Sequence, residues 1–330
     1  MRQNRLFSAW SVAVLLAVLA LYVDIALAGD PARHYQVAVL TPGLSYSLVL
    51  KGFQDELAQL GYVEGKNVTL LVEDTQGVPP NLVQHAARLV AAGPDVLVTV
   101  TTPHTKAAKE TTAHVPIVFT WVGDPIRSGL IASYASSQNN LTGISVYSGP
   151  LSGKRLEILQ EVAPDAKRIL AIVAAKESIA ESAFELLNET ATKLAIQVLR
   201  RDVTTREEIE QVLRETPAGV ADAISHVPSS LVGAHIELLI QKAKQEKLPL
   251  IVHEDSMVNK GALVSYGADF RLQGMQAARL VAKILKGKDP ADMPIQTPDK
   301  LILAVNLTTA KAIGLGLPLS VLERADRIVE

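Results

Sequence analysis

The sequence predicts an α/β protein of two similar lobes, each a parallel sheet with helices packed on it. Three observations lead there. Short β-branched runs alternate with longer stretches of helical periodicity, the same order repeats from Ser152 onward, and strands and helices are left over in the tail. Strands alternating with helices of roughly 10 to 15 residues imply βαβ units and parallel pairing. The leftover elements mark a chain that crosses between its lobes more than once.

The elements follow in order. Tyr35 to Leu40 reads as a strand, and Leu48 to Leu60 as a helix with Val49, Phe53, Leu57 and Leu60 on one face, ended by Gly61. Val68 to Val72 is a strand, Leu82 to Ala92 a helix stopped by Gly93-Pro94, and Val96 to Val100 a strand of the fully buried type. A short helix over Lys106 to Thr112 and a strand over Ile117 to Thr120 close the first half. The second half has helices over Ser152 to Val162, Ser178 to Leu194, Thr205 to Leu213 and Leu231 to Glu246. Its strands are Arg168 to Val173, Ile196 to Arg201, Ala223 to Ser225 and Leu250 to Val252. The halves join near Ser145 to Pro150. The tail adds strands Ala262 to Ser265 and Leu301 to Val305, with helices Leu272 to Leu285 and Thr309 to Ile313.

Composition excludes several classes. The 330 residues are 48% hydrophobic and 20% charged, with 32 basic against 34 acidic side chains. A nucleic-acid binder would show a basic excess, and a disordered chain low hydrophobicity with high net charge. Length alone suggests two domains. Arg2 and Arg5 precede an apolar run from Phe7 to Val23, and Ala26-Leu27-Ala28 supplies a small-residue cleavage site. That is the pattern of a secretory signal peptide over residues 1–28. A run of about 17 residues, bounded by Asp24, sits at the lower limit for a membrane anchor. Cysteine is absent, so disulfides, thiolate zinc sites and lipid attachment at a mature N-terminal Cys are all excluded. An exported, unlipidated, cysteine-free chain points to a Gram-negative periplasm.

Catalytic motifs are missing. Gly149 to Lys154 reads G-P-L-S-G-K, one residue short of a P-loop, and no G-x-S-x-G elbow occurs. His253-Glu254-Asp255 lacks the second His of a zinc-protease helix, and the seven His are scattered. No cofactor or metal is expected.

Ligands of open parallel sheets bind beyond the C-terminal ends of strands, and two facing lobes leave a cleft between them. The loops at those ends are rich in hydroxyls and backbone donors, suited to an uncharged or anionic small molecule. The candidate cleft residues are Thr41, Ser45, Tyr46, Thr101, Thr102, Trp121, Asp124, Tyr147, Glu177, His226, Ser229, Ser230, Glu254 and Asp255. Several have a plainer reading beside the functional one. Trp121 is a stacking surface or a hinge core residue, and His226 faces the cleft or is a satisfied structural His. Glu177 touches ligand or favours the dipole of the helix it opens. Asp124-Pro125 is a contact or an N-cap with Pro at N1. Glu254 and Asp255 line the cleft or belong to a polar loop.

Specific runs carry a family resemblance. They are Lys51-Gly52-Phe53, Leu60 to Val68, Pro116 to Phe119, Gly123-Asp124-Pro125, Ser128-Gly129-Leu130, Asn140 to Gly143, Gly274 to Gly287 and Asn306 to Ala310. Together they resemble the ABC-transporter substrate-binding protein family that includes tryptophan- and tyrosine-binding members. The resemblance implies a type I periplasmic binding protein: two Rossmann-like lobes and a three-stranded hinge. It places residues 34–147 plus 261–290 in the first lobe and 148–260 plus 291–330 in the second. It implies a monomer that carries a small molecule to an inner-membrane ABC permease. A sensory binding protein that presents its closed form to a membrane receptor or kinase is the alternative, and an exported enzyme the third.

One departure bears on the ligand. Amino-acid-binding members have an Asp-Asn pair where this chain has Ser229 and Ser230, and Asn or Ser residues around the position of Glu177 where it has Ala174, Ile179 and Ala180. Serines cannot neutralise a buried ammonium. A neutral or carboxylate-bearing molecule, with or without an aromatic ring, is therefore expected over a zwitterionic amino acid. Asp124, Glu177 or Asp255 remain as other sources of charge.

Overall fold

The computed structural model describes residues 33–43, 46–146 and 148–330. The leader reading over residues 1–28, and the candidates Ser45 and Tyr147, lie outside them.

The first sheet runs β2-β1-β3-β4-β5, all parallel, with β1 Tyr35–Thr41, β2 Val68–Asp74, β3 Val96–Val100, β4 Ile117–Val122 and β5 Leu141–Ser145. β3, β4 and β5 are buried along their whole length, as expected of strands covered on both faces. Helices α1 (Ser47–Gln59), α2 (Leu82–Ala91) and α3 (Thr102–Thr111) cover it. α3 begins a turn earlier than the hydrophobic pattern suggested. In the sequence β5 shows only within the Asn140 to Gly143 motif, because Gly143 and Ser145 dilute its β signal.

The second lobe opens with α4 (Ser148–Val162), β6 (Arg168–Ala174), α5 (Ser178–Lys193), β7 (Gln197–Val203) and α6 (Arg206–Glu215). α6 starts on a capping side chain, Thr205, whose hydroxyl accepts from Glu208 N at 3.2 Å. β8 (Ala223–His226) leads into α7 (Ser230–Ala234) and α8 (Ile236–Glu246), two helices where one was expected over Leu231 to Glu246. The break is at His235, which leaves helical geometry (φ −119°, ψ 30°), just after a helix-weakening glycine, Gly233. β9 (Leu250–Val252), α9 (Asp255–Asn259) and β10 (Val264–Ala268) follow.

From β10 the chain crosses into the first lobe as α10 (Phe270–Leu285), capped by Asp269. α10 lies against α1 with backbone nearly touching backbone. A Cβ on Gly52 would fall 2.0 Å from the Arg271 carbonyl, and one on Gly274 1.9 Å from that of Val49. The chain returns as β11 (Leu301–Asn306), α11 (Leu307–Ile313), α12 (Leu319–Arg324) and β12 (Arg327–Val329). The second sheet runs β12-β11-β10-β9-β8-β6-β7, parallel except where β10 meets β11 antiparallel.

These pairings move the expected lobe boundaries. Residues 261–268, expected in the first lobe, go with the second, because β10 is hydrogen-bonded between β9 and β11 and Ala262 and Leu263 pack in that lobe's core. Residues 291–299, expected in the second, stay with the first. Ser145 N donates to Gln296 O at 2.9 Å, and Asp299 N to Gln276 Oε1 of α10 at 3.2 Å. Three segments therefore join the lobes: one between β5 and α4, one at Ala268-Asp269, and one entering β11. Among the described residues no helix is long and apolar enough to cross a membrane.

Candidate functional site

The C-terminal ends of the strands of both sheets face each other across a cleft, and the two walls differ. The first wall is aromatic. Gly43 turns the chain out of β1 at φ +70°, where a Cβ would collide with the Asp74 carboxylate at 2.0 Å. Tyr46 follows at the head of α1. Its ring meets Trp121 edge-on at 5.9 Å and Phe270 at 5.2 Å, while Trp121 stacks on Phe270 at 4.2 Å and 23°. Trp121 is brought there by an irregularity in β4. Its φ is +57°, and the pairing with β5 shifts register between Phe119 and Val122. Trp121 is 6% exposed, and its Nε1 has no hydrogen-bond partner among the described residues.

The threonines behind this wall work as scaffold. Thr101 holds φ +77° and ψ 159°, a region almost reserved for glycine. Its hydroxyl bonds His104 Nδ1 at 2.9 Å, and His104 Nε2 bonds Thr75 Oγ1 at 2.8 Å. The one hydroxyl hydrogen of Thr75 is in turn shared between the carbonyls of Gly77 at 2.7 Å and Thr41 at 3.2 Å. Burial keeps His104 neutral, lowering its pKa to about 4. Thr41 is buried, its Oγ1 accepting from Gly43 N at 3.3 Å, and Thr102 opens α3. The candidates Thr41 and Thr101 thus shape the loops and spend their hydroxyls inside the lobe.

The second wall is ionisable. Glu177, at the end of β6, opens α5 but does not cap it. Its carboxylate accepts from the N–H groups of Ser230 (2.7 Å) and Leu231 (2.8 Å), at the start of α7. Ser229 caps the same helix, accepting from Val232 N at 3.2 Å. Glu177 therefore brings a negative charge to the very loop whose serines were expected to leave it uncharged. His226 at the end of β8 and His253 after β9 pair through their Nδ1 atoms at 2.9 Å, and His253 Nε2 lies 3.0 Å from Glu254. Glu254 is buried and also accepts from Ser256. Burial first, then His253 and Arg155, holds His226 well below the usual imidazole range. Asp255 is turned away: it forms an ion pair with Arg327 of β12, and burial raises its pKa. Its charge is committed to holding β12.

The walls meet. Burial pushes the Tyr46 hydroxyl up, and the carboxylates of Glu254 and Glu177 across the cleft push it further. At the rim, Arg127 of the loop after β4 pairs with Glu185 of α5 through two bonds of 2.6 and 2.9 Å. Asp124 accepts from Arg127 N in its own turn and from Ser182 Oγ of α5 at 3.1 Å. Asp124 is thus both a local turn former and a contact between lobes.

Sequence reasoning missed Phe270, Arg155, Arg127, Ser182 and Glu185. Arg155 had a readable signal, since it sits on the stripe of Ser152, Leu156 and Leu159 that α4 buries. Phe270, just after a crossing, had none. An open groove of about 640 Å³ lies at the far end of the first lobe, by Arg33, Asp95, His114 and Lys288. That is the N-terminal end of its strands, away from the cleft. Among the described residues no cluster of three or more His, Asp or Glu could hold a metal ion.

Known proteins share this architecture. A protein from Vibrio cholerae O1 biovar El Tor is 32% identical, with a TM-score of 0.83 over 90% of this chain and all of that one. A Streptococcus pneumonia ABC domain crystallised with L-Trp is 24% identical, also at TM-score 0.83, over 90% of this chain and 100% of its own. The tyrosine-binding protein of Clostridioides difficile is 28% identical over 284 residues, 86% of this chain and 81% of that protein. Solute-binding proteins such as a leucine-binding protein from Thermotoga maritima share the fold at 15% identity and TM-score 0.60. The fold is thus that of type I periplasmic binding proteins. Residues 36–329 match the family described as ABC transporter substrate binding protein, so this chain belongs to that family and is a substrate-binding protein, not an enzyme.

Proposed function

We propose that this protein is the periplasmic solute-binding component of an ABC importer, holding a small polar or aromatic, carboxylate-bearing molecule between its lobes and handing it to an inner-membrane permease. The observation that carries the reading is the pair of facing walls. An aromatic cluster stands opposite a buried set of hydrogen-bonding and charged groups, on lobes joined by three strands of chain. Such lobes close when a ligand adds contacts to both faces, and the ligand sets the closed population by its differential affinity. The names of the relatives support the ligand class: one is tyrosine-binding, another was crystallised with L-Trp. Of the candidates, Tyr46, Trp121, Glu177, His226, Ser230 and Glu254 stand nearest to ligand in this reading. The leader would direct export and be cut near Ala28, and the mature chain would act as a monomer.

Native mass spectrometry of protein taken from its own periplasm tests this, paired with small-angle scattering. A retained small molecule, and a smaller radius of gyration with it than after dialysis, are expected. A chain that carries nothing and keeps one radius throughout would refute the reading.

A further inference from the structure

We infer that Arg155 receives an anionic group of the solute, an assignment that rests on the solute-binding reading above. Arg155 lies two turns into α4, on its buried stripe, and is 3% exposed. Helical side chains lean toward the N-terminus, which brings this guanidinium to the cleft ends of β9 and β10. There Nε donates to Tyr266 O at 2.7 Å and Nη1 to Ser152 Oγ at 3.3 Å. Gly267 lies beside it: a Cβ there would be in ordinary contact with Nη2 at 3.6 Å but only 2.0 Å from the His253 carbonyl, so the glycine lets the loop after β9 pack against β10 at this point.

The guanidinium is left short of partners. It has five N–H donors, yet Nη2 donates to none of the described residues and no carboxylate pairs with it among them. A buried, unpaired cation is costly, and burial lowers its pKa to about 9. Glu254 acts on it only from a distance, with its own oxygens taken by His253 and Ser256. A second unsatisfied hydrogen-bonding group feels the same charge: His226 is 1% exposed, and its Nε2 has no partner among the described residues. A planar fork with free donors matches a carboxylate in a way a lysine would not. With the Tyr46, Trp121 and Phe270 rings opposite, the cleft fits an aromatic or apolar acid, with or without an ammonium.

Four probes with one ring separate the charges: 3-phenylpropionate, L-phenylalanine, 3-phenylpropanamide and 2-phenylethylamine. Calorimetric titration of the dialysed mature chain should show the two carboxylates binding at least tenfold tighter than the amide or the amine. Arg155→Met should weaken the carboxylates about a hundredfold and leave the amide unchanged, and Arg155→Lys should fall between. A merely structural Arg155 would weaken all four alike, and circular dichroism would report the loss of fold. Equal binding of acid and amide, or carboxylate binding untouched by Arg155→Met, overturns the assignment. So does a compound retained from the periplasm that has no anionic group, or one retained equally by Arg155→Met. If the wild-type chain retains nothing and binds none of the four, the solute-binding reading itself falls.

Discussion

The two walls of the cleft stabilise themselves by opposite means. The first spends backbone strain. Thr101 and Trp121 hold positive φ, at a cost of order 1–3 kcal/mol each, and aromatic packing plus the buried His104 network offset it. The second keeps ordinary backbone and spends desolvation, with Glu177 on helix N–H groups, Glu254 on a histidine pair, and Arg155 with no ion pair among the described residues. One wall therefore supplies shape and the other supplies charge. A solute with an apolar body and a polar head is what such a division accommodates.

The first wall depends most on Phe270. It is fully buried, stacks under Trp121 and sits at a crossing between lobes. Phe270→Ala should cost about 3–5 kcal/mol, read as a lowered denaturant midpoint, and abolish tight solute binding. A loss below 1 kcal/mol would show that the first wall does not rest on its rings.

Acid should act next. His104 is held neutral with a pKa of about 4 against 6.5 when unfolded. The unfolded chain takes up the proton first, so stability is fully present above pH 6.5 and lost as pH falls toward 4, by about 2 kcal/mol at pH 5. His226 shifts in the same direction. Melting at pH 7.5 and 5 for His104→Gln and His226→Gln assigns the loss to one wall or the other. A flat wild-type profile over that range contradicts both burials.

Ser229→Ala removes the cap of α7 and should cost about 1 kcal/mol. Because Glu177 holds the same helix start, that loss should at least double in the background of Glu177→Gln. Simple additivity would mean the two groups do not share the helix end.

The rim should matter least to stability. The Arg127–Glu185 pair is about half exposed, so it contributes at most about 1 kcal/mol. Arg127→Ala should leave the melting temperature unchanged, weaken solute binding up to fivefold, and enlarge the unliganded radius of gyration. An unchanged radius would show that the rim does not bias closure.

Alternation of β-branched runs with amphipathic segments was enough to read two parallel lobes, because each element's pattern is local: strands such as Val96–Val100 and helices such as Ser47–Gln59 bury faces fixed by their own periodicity. The motif runs carried the family for the same reason. Loop hydroxyls also marked the strand ends correctly, but not their use, since Thr101 and Ser229 are spent on His104 and on a helix cap. The strand before Phe270 could be seen in the sequence, but its place in the second sheet could not, because pairing between β10 and β11 is decided by partners far along the chain. Charge was the least legible. Glu177 serves a helix that starts 53 residues later, and among the described residues no carboxylate pairs with Arg155. A sequence lists its ionisable groups; which of them are desolvated, paired or left open depends on distances that only the folded lobes create.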